Sequence, residues 1–377
     1  MKKILIGGMT DQVGGIETFV MNYCEKLAEQ GFQFDFLCRY PCCAFQQRIE
    51  QMGGHVYFLP QRSRAPLAYY RALDAFFRKH AADYAVYWEN DCMMNNVEPL
   101  RYAARYRIPT RIFHSHNSDN MDLSLKGRLR GILHRRNRAR IDRIATDFWA
   151  CSPKAGAWAF PEALRVGERY RIIQNAVEVA RFAFQPEVRA ACRASMRLDE
   201  CYVVAHVGRF QAQKNHPFLI EAFAKLAQRQ PQARLLLVGE GDGMAAAQAQ
   251  AEALGVTNSV IFTGFRQDVP ALLQAADLFV LPSLFEGLSL VAVEAQAAGL
   301  PCLLSFGSPA ETKIVEAVTF LPIDDPERWA AAMESAMHAA APRRDVQAVL
   351  QAAGFDLAEN VQLLAHFFRK TMEDGKA

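Results

Sequence analysis

Asp277-Leu-Phe-Val-Leu281-Pro-Ser-Leu-Phe-Glu286-Gly287-Leu-Ser-Leu-Val-Ala-Val-Glu294 decides how this chain folds. Asp277–Leu281 is a short apolar run and reads as a buried strand. The segment after it turns helical and ends at Gly299 and Pro301, both helix-stopping residues. Strand, loop and helix in that order form the unit of a parallel sheet covered by helices. One carboxylate, Glu286, stands in the loop, and Glu294 stands about two turns into the helix. Between them Gly287, Leu288, Ser289 and Leu290 offer backbone N–H groups at a helix start, where phosphate is stabilised. Two carboxylates bracketing an anion site suit a ligand with hydroxyls at both ends and phosphate in the middle. A nucleotide-sugar has that layout.

The same rhythm runs outward in both directions. Strands are expected at Lys3–Gly7, Phe34–Cys38, Val56–Leu59, Tyr84–Trp88, Arg111–His114 and Phe148–Cys151. Helical patterns separate them around Gly15–Gln30, Leu67–His80 and Leu123–Arg143. The pattern restarts at Tyr202–Val207, Arg234–Val238, Val260–Thr263, Leu278–Leu281 and Cys302–Leu304. Asn175–Glu200, with Pro186 and few strand signals, reads as the boundary. The expectation is an α/β chain of two doubly wound, Rossmann-like domains, residues 1–180 and 181–355, facing across a cleft. A terminal helix within 356–377 packs back on the first domain. Ligands of such sheets sit at the carboxyl ends of the strands.

A chain of 377 residues suits two domains. Its hydrophobic content of 51% and charged content of 22% are those of a globular protein. No apolar run is long enough for a bilayer span. The opening MKKILIGGMTDQ reads as a first strand rather than a signal peptide, because Asp11 interrupts a short apolar run. Nine scattered cysteines without a CxxC pair point to reduced cytosolic thiols, not disulfides or zinc. Residues 1–180 carry 26 Lys and Arg against 18 Asp and Glu, and the remainder 17 against 22. The basic first half suits an anionic surface or acceptor.

The other chemistry-bearing segments all follow expected strands. His206-Val-Gly-Arg209-Phe-Gln-Ala-Gln-Lys214-Asn-His216 places two cations where they reach a departing diphosphate. A solvated basic loop is the bland alternative for that segment taken alone. Leu237-Val-Gly239-Glu-Gly241-Asp-Gly243 imitates a dinucleotide fingerprint, but its last glycine is one residue early. A dehydrogenase is therefore a distant reading. Gly14-Gly15-Ile-Glu17-Thr18 allows close backbone approach at a helix start. His114-Ser-His116-Asn117 ends a strand, where a histidine can meet a sugar hydroxyl. No third ligand accompanies these histidines, so no metal site is expected. Lys126–Arg143 holds eight cations and one acid among Leu129, Ile132, Leu133 and Ile141. It reads as a basic amphipathic helix for an anionic membrane, or as a solvated charged face. A nucleic-acid module is not recognised.

Together these residues resemble a family 4 glycosyltransferase of GT-B fold, most densely from Val203 to Glu311. The Glu286-x7-Glu294 element carries the resemblance, supported by Arg209…Lys214 and by Val-Ile-Phe-Thr-Gly264-Phe-Arg266. The resemblance implies retaining transfer from a nucleotide-sugar without an essential metal or cofactor. UDP is the expected carrier and GDP the alternative. Arg209 and Lys214 match the diphosphate-binding pair, Glu294 the ribose-holding residue and Glu286 the residue on the donor sugar. Gly264 and Arg266 would flank the base. His114 matches the sugar-contacting histidine, with His116 as the other alignment, and Gly15 would approach the phosphates. Asn175-Ala-Val-Glu178 replaces the usual Asn-Gly-Val-Asp hinge. The implied enzyme is cytoplasmic, peripheral on the inner face of the plasma membrane, and acts on a lipid-linked saccharide in capsule, exopolysaccharide or lipopolysaccharide synthesis. A transferase with a soluble acceptor and an inactive nucleotide-sugar-binding module are the competing readings. The intact Arg209, Lys214, Glu286 and Glu294 argue against the inactive module.

Overall fold

The computed structural model describes residues 2–117, 124–339 and 342–374. The chain divides into two compact units. Unit 1 runs to Ala176 and takes up the chain again from Leu357, and unit 2 is Val177–Asp356. The boundary expected at 180/181 lies a few residues further along. At the real one, the Val177 N–H donates to Phe355 O at 3.0 Å, so the chain enters and leaves unit 2 side by side.

Unit 1 contains β1 (Lys3–Gly7), β2 (Phe34–Cys38), β3 (His55–Phe58), β4 (Tyr84–Asp91), β5 (Thr110–Ser115), β6 (Asp147–Ala150) and β7 (Tyr170–Ile172). They form one sheet in the order β3-β2-β1-β4-β5-β6-β7, parallel throughout. The edge strand β7 was not expected. It is three residues long with exposed Arg171 at its centre, too short and polar for an alternation signal. Strand β4 runs three residues beyond expectation through Glu89, Asn90 and Asp91. Those polar residues are tolerated because Arg39 pairs with Glu89 at 3.0 Å and Asp91 at 3.3 Å, while Tyr87 donates to Glu89.

Unit 2 contains β8 (Tyr202–Val207), β9 (Ala233–Val238), β10 (Val260–Phe262), β11 (Leu278–Leu281), β12 (Cys302–Ser305) and β13 (Val318–Leu321). Their order is β10-β9-β8-β11-β12-β13, again all parallel. The stretch Asn175–Glu200, read as the boundary, is largely helical. Helices Val179–Phe182 and Pro186–Met196 belong to unit 2. Arg189 and Arg193 of the latter bind carbonyls of residues 274–276 and pair with Asp277 at 2.5 and 3.1 Å. Each sheet reverses its strand order once, between β1 and β4 and between β8 and β11, and ligands bind at such points.

The helix Leu357–Asp374 closes unit 1. Its Leu357, Val361, Leu364, Ala365 and Phe368 join the core with Ile4, Trp88 and Trp149. The Phe368 ring lies 5.9 Å from Trp88 and 6.1 Å from Trp149. Phe368→Ala is expected to cost about 3–5 kcal/mol of unit 1 stability, read as a lower urea midpoint. Unit 2, followed by nucleotide protection, should be unmoved.

Candidate functional site

The site of unit 2 is built where the ends of β8, β9, β10 and β11 present their loops. Gly239 holds φ +141°, and a Cβ there would lie 2.2 Å from Gly208 O. Only glycine lets the β8 and β9 loops pack this closely. The Gly208 N–H donates to Val238 O at 2.9 Å and the Gly239 N–H to Gly264 O at 3.0 Å. The loops carrying Arg209, Glu240 and Gly264 are thereby fixed in a row.

The short helical turn Ala212–Lys214 is stitched to the loop after β11. The Leu284 N–H donates to Gln213 O at 2.8 Å. Gln213 Nε2 donates to Phe285 O at 2.9 Å and reaches Glu286 Oε2 at 3.4 Å. Lys214 Nζ pairs with Glu286 Oε1 at 2.6 Å, and the Ser283 hydroxyl donates to the same oxygen at 2.6 Å. The side chains of Lys214 and Glu286 are 16% and 8% exposed, so the pair is largely shielded from water. Lys214 and Glu286, read from sequence as contacts to different parts of a donor, thus touch each other. Ser283 and Gln213 were missed because neither residue type announces a role. Arg209, by contrast, is exposed and has no side-chain partner among the described residues.

The helix after Glu286 runs Leu290–Ala297 with Ser289 at its cap. It starts later than expected, so Glu294 lies about 6 Å along it from Leu290. The backbone N–H groups of Gly287, Leu288, Ser289 and Leu290 donate to no protein acceptor among the described residues. They are open donors at a helix start. A Cβ on Gly287 would meet nothing within 4 Å. Glu294 is half-buried, and burial pushes its carboxyl up to about 7, with the charge of Arg181 opposing the shift. On the β10 side, Arg266 is held by Asp268 at 2.7 and 2.5 Å. Phe265 beside it is 66% exposed, and its N–H donates to Glu240 Oε1 at 3.2 Å. An exposed phenyl beside Gly264 offers a flat stacking face that the sequence reading overlooked.

In unit 1 the residues singled out lie at the carboxyl edge of the sheet. Gly15 opens the helix Gly15–Ala28, with open space around it. The His114 ring is fully buried, 5.0 Å from Phe19 and stacked 6.0 Å from Trp88, and burial holds its pKa well below the usual range. It shares the inward face of β5 with Ile112. His116 lies beyond the strand, with Nε2 2.9 Å from Asn90 Oδ1. Burial depresses its pKa to about 3, so it is neutral at physiological pH. No group of three or more His, Cys, Asp or Glu able to hold a metal occurs among the described residues.

The basic segment is a helix over Leu125–Arg138, followed by a short turn at Ile141–Arg143. The apolar residues of the helix face away from the core. Leu125, Leu129, Ile132 and Leu133 are 78, 62, 53 and 43% exposed. The inward stripe is instead Gly127, Gly131 and His134, at helical spacing.

Residues 13–181 match the family model described as Glycosyltransferase Family 4, and residues 192–348 match Glycosyl transferases group 1. The glycosyltransferase-assigned protein EpsF of Bacillus subtilis is 31% identical over 96% of this chain and 94% of its own length. An Escherichia coli UDP-Gal:alpha-D-GlcNAc-diphosphoundecaprenol alpha-1,3-galactosyltransferase is 32% identical over 36% of each chain. The crystal structure of Anabaena HepE in complex with UDP superposes with a TM-score of 0.77 at 21% identity. It covers 98% of this chain and 100% of that one.

Proposed function

The chain belongs to the family 4, group 1 glycosyltransferases and has their GT-B fold, and we propose that it transfers a sugar from a UDP-sugar to a lipid-linked saccharide, with retention, in cell-surface polysaccharide synthesis. The observation that carries this reading is the cation arrangement of unit 2. Among the described residues, Lys214 is held by Glu286 and Ser283, Arg209 is exposed without a side-chain partner, and four open N–H groups stand at the helix start. That set binds a diphosphate and stabilises the charge that grows as it leaves. Glu294 would hold the ribose hydroxyls, Phe265 would stack on the base, and Glu286 Oε2 would take a hydroxyl of the donor sugar. UDP as carrier is supported by the complexes of HepE with UDP and UDP-glucose. A lipid diphosphate acceptor is supported by the name of the Escherichia coli relative.

Glu286 is a poor nucleophile here, because one of its oxygens already accepts from Lys214 and Ser283. We therefore favour front-face displacement. The bond from the anomeric carbon to the phosphate oxygen breaks, the acceptor oxygen bonds on the same face, and its proton passes to the departing phosphate. Trapping a glycosyl-enzyme on Glu286 would contradict this route.

The exposed leucines and cations of Leu125–Arg138 are suited to an anionic membrane. No helix among the described residues is long and apolar enough to cross one. From unit 1, His114, with His116 as the other alignment, would meet the donor sugar. The test is a donor panel of UDP- and GDP-sugars with lipid-linked acceptors, scored by nucleotide release. UDP release that depends on the lipid acceptor supports the proposal, and release only from GDP-sugars or only to soluble saccharides refutes it. Gly287→Ala adds a methyl that meets no protein atom. It should leave melting unchanged yet weaken UDP binding roughly tenfold, the equivalent of one charge-assisted hydrogen bond, measured by calorimetry.

A further inference from the structure

The Leu125–Arg138 helix is not the only outward basic and apolar element of unit 1. Residues 61–73 carry Arg62, Arg64 and Arg71 and no acid. They form a turn and the first two turns of the helix Pro66–His80. Leu67 is 73% exposed and Tyr70 36%, with Arg64 and Arg71 exposed beside them. The next acid, Asp74, is neutralised by Arg78 and by Arg105 at 3.5 Å. A single exposed leucine needs no explanation, but this one sits in a cationic, acid-free surface with a tyrosine.

Both elements are bolted to one short loop. Arg62 donates to Asn96 Oδ1 at 2.9 Å and to Asn95 O at 3.2 Å, and Asn96 donates to Tyr69 OH at 3.2 Å. Two residues earlier in the same loop, the Met94 N–H donates to His134 Nδ1 at 3.1 Å, and Asn137 donates to Met94 O at 2.7 Å. The loop follows Asp91 at the end of β4 and bridges the two helices through hydrogen bonds that are largely or partly shielded from water. Their outward leucines and arginines are therefore held in fixed relation.

We propose that Arg64–Arg71 is a second membrane-contacting element, and that with the Leu125–Arg138 helix it forms one two-footed surface for anionic lipid. This rests on the membrane reading above and extends it to a segment which that reading does not use. Lipid is favoured over nucleic acid because the exposed apolar groups are chiefly aliphatic. Leucines enter an acyl boundary but give a base no stacking face, and a tyrosine suits the interface. The loop between the feet leads straight from the sheet edge, so binding through both would fix how that edge faces the lipid.

The test is flotation of the full chain with phosphatidylcholine vesicles, with and without phosphatidylglycerol. Leu67→Glu with Arg71→Glu is compared with Leu129→Glu and Arg128→Glu. An environment-sensitive dye attached through Leu67→Cys in a Cys42→Ser background reports insertion. The expected result is flotation only with the anionic lipid, weakened roughly tenfold or more by either pair, and a blue shift of the dye on vesicles. Equal flotation of the Leu67/Arg71 variant, with the dye still in water, overturns the second foot and leaves the helix reading standing. No flotation of the wild type overturns both, as does binding to a homopolymeric RNA in place of vesicles.

Discussion

Lys214→Ala is expected to lower kcat/KM for sugar transfer by about a hundredfold to a thousandfold, the loss that follows removal of one preorganised charge from a leaving group. The ammonium is already positioned before any ligand arrives, because Glu286 and Ser283 hold it in a shielded place. No reorganisation is then needed as the phosphate takes up charge. The same substitution leaves Glu286 short of a partner and should cost about 1–3 kcal/mol of stability. Pairing Lys214→Met with Glu286→Gln separates the two effects. Stability should return in the double variant while turnover stays low. Arg209→Ala should lose turnover to a similar extent with no change in melting, because the exposed guanidinium has no partner among the described residues to leave behind. Full turnover in either single variant would remove the diphosphate assignment.

The second large effect is a pH dependence of nucleotide binding. Burial raises the Glu294 carboxyl to about 7, so it is half protonated near neutrality without ligand. Accepting hydrogen bonds from two ribose hydroxyls favours the ionised form. Binding is therefore stronger above that pKa and weaker below it. Between pH 8 and pH 6 the affinity for UDP should fall roughly tenfold, the protonation penalty for a group with a pKa near 7. The terminal phosphate of UDP titrates near pH 6 and adds its own slope. Glu294→Gln isolates that part. It should bind UDP more weakly at pH 8 and retain only the phosphate slope. An unchanged profile in Glu294→Gln would show that Glu294 does not meet the nucleotide.

The central strands were legible because parallel strands buried on both faces are near-continuous apolar runs, as in Tyr202–Val207, interrupted only by His206, and Leu278–Leu281. The edge strands Tyr170–Ile172 and Val318–Leu321 were not, since half-burial leaves them short and mixed. The individual site residues could be nominated from loop position, but their partnership could not. Lys214 and Glu286 lie 72 residues apart and meet only because β8 pairs with β11, Leu278 opposite Val204. In the Leu125–Arg138 helix the apolar residues mark the outward face, and two glycines and a histidine take the inward one.

Calorimetric titration of UDP, UMP and uridine into the wild type and Arg209→Ala separates recognition of the diphosphate from recognition of the nucleoside. UDP should bind the wild type well above UMP and uridine, and Arg209→Ala should erase most of the difference between UDP and UMP. Equal affinity for UMP and UDP in the wild type, or a UDP affinity untouched by Arg209→Ala, would contradict the diphosphate assignment.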